Sequence, residues 1–153
     1  MTEHEQVRVE RVRAISADLL KQVGARFPGH QWEATNTMRF CADAANVLLV
    51  AYRGETVCGV LVAYRLQCLD ARGAQLFIDE VDVHQDSWRR GIGRAMLTEA
   101  LHIAREIGAN EAWVQTEASN VPAVSLYRAV GGVQEEPDET IVSFAFPIPV
   151  SRQ

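Results

Sequence analysis

Three carboxylates, Asp79, Glu80 and Asp82, sit inside the apolar run LFIDEVDV, and the basic turn WRRGIGR follows a few residues later. A carboxylate held on a strand can accept a proton from an incoming nucleophile. The second group is suited to an anion: Gly91 and Gly93 let backbone N–H groups converge on an oxyanion, while Arg89, Arg90 and Arg94 bring fixed positive charge. Carboxylates on strands are most often a solvated face. Strand alternation divides Asp79, Glu80, Val81 and Asp82 between two faces, so only part of the cluster is expected to point at one site.

The elements that position these groups are legible around them. LFIDEVDV, residues 76–83, is rich in β-branched and aromatic residues and reads as a strand. Met96, Leu97, Ala100, Leu101, Ala104 and Ile107 repeat with the spacing of one helical face. Strand, glycine turn and helix together form an anion-binding arrangement, because the unpaired amides and dipole of a helix start favour negative charge. Two familiar nucleotide motifs are excluded. A dinucleotide fingerprint needs glycine where Met96 stands, and no Gly-Lys-Ser/Thr run of a Walker loop exists.

Before this segment, Gln6–Arg13 reads as a strand, and Ser16 as the cap of a helix ending near Gly24. Phe27-Pro28-Gly29 is a turn, and a second helix is expected over Trp32–Ala45 with Met38, Cys41 and Ala45 inward. Asn46–Arg53 and Thr56–Leu69 form a hairpin about Gly54-Glu55. After the main helix, Gly108-Ala109-Asn110 is a stop, Ala112–Thr116 a short buried strand and Pro122–Val130 a short helix. Gly131-Gly132 then breaks the chain, and Thr140–Phe146 is the last strand.

The chain has 153 residues, 48% hydrophobic and 23% charged, which fits one globular domain spanning 1–153. A net charge of -5 argues against nucleic acid as the main partner. Cys41, Cys58 and Cys68 are an odd number without metal-type spacing, so reduced thiols and no bound metal are expected. Neither a signal-like segment nor an apolar run of ~18 residues is present, which leads to the expectation of a cytoplasmic protein without membrane contact.

Two motifs carry a resemblance to a known family. WRRGIGRAML, after the acidic strand, resembles motif A of the GNAT superfamily of N-acetyltransferases, Arg/Gln-x-x-Gly-x-Gly/Ala, with Trp88 in the first position. Asn120-x-x-Ala123-x-x-Leu126-Tyr127-x-x-x-Gly131 is similar to the family's second signature, with Gly132 where Phe is usual. The order of elements also matches, so the resemblance covers nearly the whole chain. In detail it looks most like the small aminoglycoside acetyltransferases that modify a 3-amino group.

That resemblance implies an α/β (α+β) GNAT fold: a mixed, mostly antiparallel sheet of six or seven strands, flanked by about four helices and splayed between strands four and five. It implies acetyl-CoA as co-substrate and a small-molecule primary amine as acceptor, aminoglycoside- or polyamine-like. The alternatives are a protein or peptide amine, or an acyl-CoA-binding module without catalysis. Backbone groups of Val81, Asp82 and Val83 would pair with the pantetheine arm, and Arg89, Arg90, Gly91, Ile92, Gly93 and Arg94 would hold the pyrophosphate. Asn120, Ala123 and Tyr127 would line the arm, with Tyr127 protonating the departing thiolate. Glu80 would be the base, with Asp79, Asp82 and Glu117 in reserve, and Asp79, Glu80 and Glu117 would face the acceptor. Glu135 and Glu136, read as loop residues, would also face a cationic acceptor. His84 is read as a surface turn residue, and Trp32, Trp88 and Trp113 as packing. Dimers are common in the superfamily, so a homodimer is the assembly the resemblance suggests.

Overall fold

A computed structural model describes residues 6–135 and 140–149. The β-branched runs on either side of Gly54 become an antiparallel hairpin, β2 (Asn46–Arg53) and β3 (Thr56–Gln67), with Gly54 at φ 57° in the left-handed region that glycine adopts without strain. β1 (Val7–Arg11) pairs with β2, and β4 (Ala74–Val83) with β3, both antiparallel. Between β1 and β2 lie α1 (Ala17–Arg26) and α2 (Ala34–Ala42). Ser16 Oγ accepts from the Leu19 amide at 3.1 Å and starts α1. The Glu33 carboxylate accepts from the Thr35 and Asn36 amides and starts α2. α3 (Ile92–Glu106), β5 (Glu111–Glu117), α4 (Val121–Ala129), β6 (Val133–Glu135) and β7 (Ile141–Pro147) complete the order.

The strands form one mixed seven-stranded sheet, β1-β2-β3-β4-β5-β7-β6, in which β4–β5 is the parallel pair and the other neighbours run antiparallel. This is the GNAT fold. α3 lays Met96, Leu97, Ala100 and Ile103 on one face, against Val47, Leu49, Leu61, Leu76 and Ile78. On the other face α1 seats Leu19, Val23 and Phe27 on Val50, Val57 and Val60. No described helix is long and apolar enough to cross a membrane.

Two local expectations are corrected. α2 is shorter than Trp32–Ala45, and its apolar residues do not turn inward: Met38 is 55% exposed, Cys41 and Ala45 are half-buried, and Thr37 is the buried residue. The helix rides on the rim of a cleft rather than on the core, so no apolar stripe is demanded of it. Glu135 is not in a loop but ends β6, an edge strand paired with β7, where three residues sufficed to extend the sheet. Glu136 lies outside the described residues.

Candidate active site

The site begins at a fault in the sheet. β4 and β5 pair from Gln75↔Glu111 to Ile78↔Val114 and then stop, although β4 runs on to Val83 and β5 to Glu117. The cause lies on the other side of β4. Val62 and Ala63 of β3 are consecutive, yet they pair with Glu80 and Ile78, which leaves Asp79 as the extra residue of a bulge. A bulge bends its strand and increases the local twist, which carries the last residues of β4 away from β5. A wedge opens between the two strands, at the splay expected from the sequence.

The direction of the backbone in that wedge follows from one hydrogen bond. The His84 amide donates to Cys58 O at 2.9 Å, so alternation turns the backbone groups of Glu80 and Asp82 toward β3, and those of Val81 and Val83 into the wedge. Val83 O is already engaged, accepting from the indole Nε1 of Trp88 at 2.8 Å. Trp88 is therefore not a packing residue as expected: it is 63% exposed and is held by this polar bond.

At the mouth of the wedge stands the glycine elbow. Gly91 caps α3 at φ 77° with no side-chain bond, and Arg89 precedes it at φ 61°. The first intrahelical bond runs from Ala95 N to Gly91 O, so the amides of Ile92, Gly93 and Arg94 have no intrahelical partner. A Cβ on Gly93 would lie 2.8 Å from Leu126 Cδ2, so glycine is what lets α3 and α4 approach. Arg89, Arg90 and Arg94 are exposed around this open helix start.

The carboxylates gather on the face opposite α3. By simple alternation the acidic cluster would be split, but the bulge resets the period at Asp79. Ile78 points into the core beneath α3, yet Val81 and Val83 do as well, which returns Glu80 and Asp82 to the outer face. Asp79 and Glu80 both line a cleft of ≈ 340 Å³ together with Trp32, Glu33, Phe40 and Tyr64. Trp32 thus serves partly as a wall of this cleft. Trp113 does pack, stacked on Phe77 at 4.4 Å between ring centroids.

One residue of the site had no signal in the sequence. His30, in the loop between α1 and α2, sets Nδ1 3.3 Å from Glu80 Oε2, while its Nε2 contacts Asp82 Oδ2. Its side chain is 10% exposed, between the rings of Phe27 and Trp32 at centroid distances of 6.1 and 6.0 Å. Burial raises the Glu80 pKa; the His30 ring works against this, and the Asp79 and Asp82 carboxylates reinforce it. A second cleft, ≈ 460 Å³, lies on the far side of His30 against Arg26, Asp82 and His84.

Tyr127 of α4 is 4% exposed, packed on Phe144 and Phe146. Burial pushes its phenol up to about 12, with the Asp82 carboxylate adding to the effect. Asn120 caps α4, Oδ1 accepting from the Ala123 amide at 3.3 Å. Glu117 is exposed at the end of β5, across the wedge. His84 is a turn residue, its Nδ1 accepting from the Asp86 amide at 3.2 Å.

Residues 15–131 match the acetyltransferase (GNAT) family, and the chain belongs to that family. Among its relatives, streptothricin acetyltransferase from Streptomyces lavendulae is 30% identical over 90 residues, covering 59% of this chain and 45% of that protein. The chain thus spans less than half the length of that relative. An aminoglycoside acetyltransferase from an uncultured soil metagenomic sample, solved in complex with sisomicin, superposes with a TM-score of 0.75 at 19% identity, over 85% of this chain and 90% of that one. The ribosomal-protein-S18-alanine N-acetyltransferase of Escherichia coli shares the fold at a TM-score of 0.69 and 16% identity, over 97% of both chains.

Proposed function

We propose that this chain is an acetyl-CoA-dependent N-acetyltransferase acting on a primary amine of a small cationic molecule, by direct attack in a ternary complex. The observation that carries this reading is the wedge itself. It joins unpaired β4 backbone, the uncapped and arginine-flanked start of α3, and a cleft walled by Asp79, Glu80 and Glu33. An acidic cleft attracts a cationic acceptor. Streptothricin, named for the relative, and sisomicin, named for the fold neighbour, are the first acceptors to try.

In this reading the free amides of Ile92, Gly93 and Arg94 cradle the pyrophosphate, and Arg89, Arg90 and Arg94 counter its charge. Asn120 and Ala123 line the pantetheine arm, which pairs with Val81 as an added strand. The Val81 N–H donates to the thioester oxygen and stabilises the oxyanion of the tetrahedral intermediate. The acceptor arrives as an ammonium of pKa ~10.4 and gives a proton to Glu80. Its nitrogen then forms the C–N bond and sheds its second proton to solvent, the intermediate collapses, the C–S bond breaks and sulfur leaves as thiolate. Tyr127 donates a hydrogen bond to that sulfur. With its phenol at about 12, far above a thiol's ~8.5, it keeps its proton, and the thiolate takes the one the nitrogen has shed, relayed by solvent. Asp79 and Glu117 flank the acceptor.

The test is thiol release from acetyl-CoA with streptothricin, sisomicin, spermidine and an alanine-terminated peptide. Release with a small cationic amine is expected, and Glu80→Gln should slow it and remove the acidic limb of the pH profile without changing acetyl-CoA affinity by calorimetry. Release with the peptide alone would make the chain a protein acetyltransferase. Tight acetyl-CoA binding with no release from any amine would make it a binding module.

A further inference from the structure

His30 is tied to β4 through two carboxylates, and nothing in its own loop requires this. Resting on the reading of Glu80 as the base, we infer that His30 is a positioning residue: as an imidazolium it pins Glu80 and Asp82 together, fixing the Glu80 carboxylate at the wedge and holding it ionised.

The geometry makes the case in three steps. First, both ring nitrogens face carboxylate oxygens, Nδ1 toward Glu80 Oε2 at 3.3 Å and Nε2 toward Asp82 Oδ2. A neutral ring has one donor and one lone pair, so it would set that lone pair against an anion. The doubly protonated ring satisfies both contacts. Second, the ring cannot swing away freely, since Phe27 and Trp32 flank it and its side chain is 10% exposed. Third, the electrostatic need is local. The bulge crowds Asp79, Glu80 and Asp82 onto one stretch of β4, and partial burial of Glu80 further disfavours its charge. An opposite charge within ~4 Å is the available counterweight. The other charged groups around the ring are Asp79 beside Glu80, Glu33 at the start of α2, Arg26 at the end of α1 and His84 after β4. Arg26 is committed elsewhere, both of its contacts to Asp86 being within 3.0 Å. His30 is therefore the cation that serves Glu80.

The experiment compares His30→Gln and His30→Lys with the wild-type chain, each checked for folding by circular dichroism. In the Gln variant the acidic limb of kcat/KM should move up by about one pH unit, the low end of what losing a neighbouring opposite charge produces. Its kcat at pH 7 should fall about tenfold with the KM for acetyl-CoA unchanged. The Lys variant, which restores the charge, should return the limb toward wild type. A limb that stays in place in folded His30→Gln protein overturns the inference. A ring-nitrogen NMR spectrum at pH 7.5 reads the same residue without turnover: a proton on both nitrogens is expected, and a neutral ring there overturns the inference as well. Failure of the wild type to acetylate any amine, with the ring doubly protonated, would instead remove the proposed reaction and leave the ion cluster standing.

Discussion

Replacing Tyr127 with Phe removes one hydroxyl from a ring whose packing on Phe144 and Phe146 the substitution preserves. Two roles for that hydroxyl predict different losses. A full general acid contributes ~10²–10⁴ in rate. A phenol at about 12 faces a thiolate whose conjugate acid sits near ~8.5, so giving up the proton is uphill by about 5 kcal/mol. A hydrogen bond to a charged acceptor, by contrast, contributes ~1.5–3 kcal/mol, or about 10- to 100-fold in rate. The second role wins on magnitude. Tyr127→Phe should therefore lower kcat by ~10- to 100-fold, leave the KM for acetyl-CoA unchanged and leave the pH profile between pH 6 and 9 unaltered in shape. Steady-state thiol release, with product mass confirmed by mass spectrometry, measures all three. A loss beyond ~10³-fold, or the disappearance of a basic limb below pH 9, would refute the argument and restore the tyrosine as an acid.

Gly132→Ala should destabilise the chain. Its Cβ would lie 2.7 Å from Tyr127 O and 2.9 Å from Phe146 Cε1, and the backbone oxygen cannot step aside. Overpacking of this kind costs ~1–3 kcal/mol, a fall in Tm of about 4–8 °C at its midpoint, and an unshifted thermal melt would contradict the close approach. Asp86 offers a pH test of stability. The Arg26 guanidinium, followed by the Ser87 hydroxyl and the His84 ring, holds its carboxyl well below the usual carboxylate range. A depressed folded pKa gives stability that is present above the unfolded value of ~3.9 and lost as pH falls toward the folded one. The pair is partly exposed, so Asp86→Asn should lower Tm at pH 7 by only about 1–3 °C, with the gap narrowing in melts taken below pH 4.

What the sequence disclosed was local. The β-branched runs, the turn at Gly54, the cap at Ser16 and the glycine elbow each carry their signal within a few residues, and each became the element expected. The misreadings share a cause, which is that the deciding partner is distant in the chain. Met38 obeys an apolar spacing but lies on a helix that borders a cleft, and only the tertiary arrangement reveals that nothing covers it. His30 meets Asp82 across 52 residues, and no spacing rule reaches so far. Trp88 looked like packing because its hydrogen-bond partner is a backbone carbonyl, which every residue possesses. The acidic cluster was divided between faces by a period of two that holds only where no residue is extra.

That extra residue makes the length of β4 as consequential as its composition. Upstream of Asp79 the even-numbered side chains, Leu76 and Ile78, fill the interior; downstream the odd-numbered ones, Val81 and Val83, do so. Deleting that residue would leave one unbroken alternation, with Ile78, Val81 and Val83 still beneath α3 and Glu80 and Asp82 still outside, but without the bulge that bends β4 away from β5. The strand is thus read in two frames, and a lineage that kept every other letter of this segment but dropped that one would keep its hydrophobic seal and its acidic rim and lose the opening in the sheet in a single step.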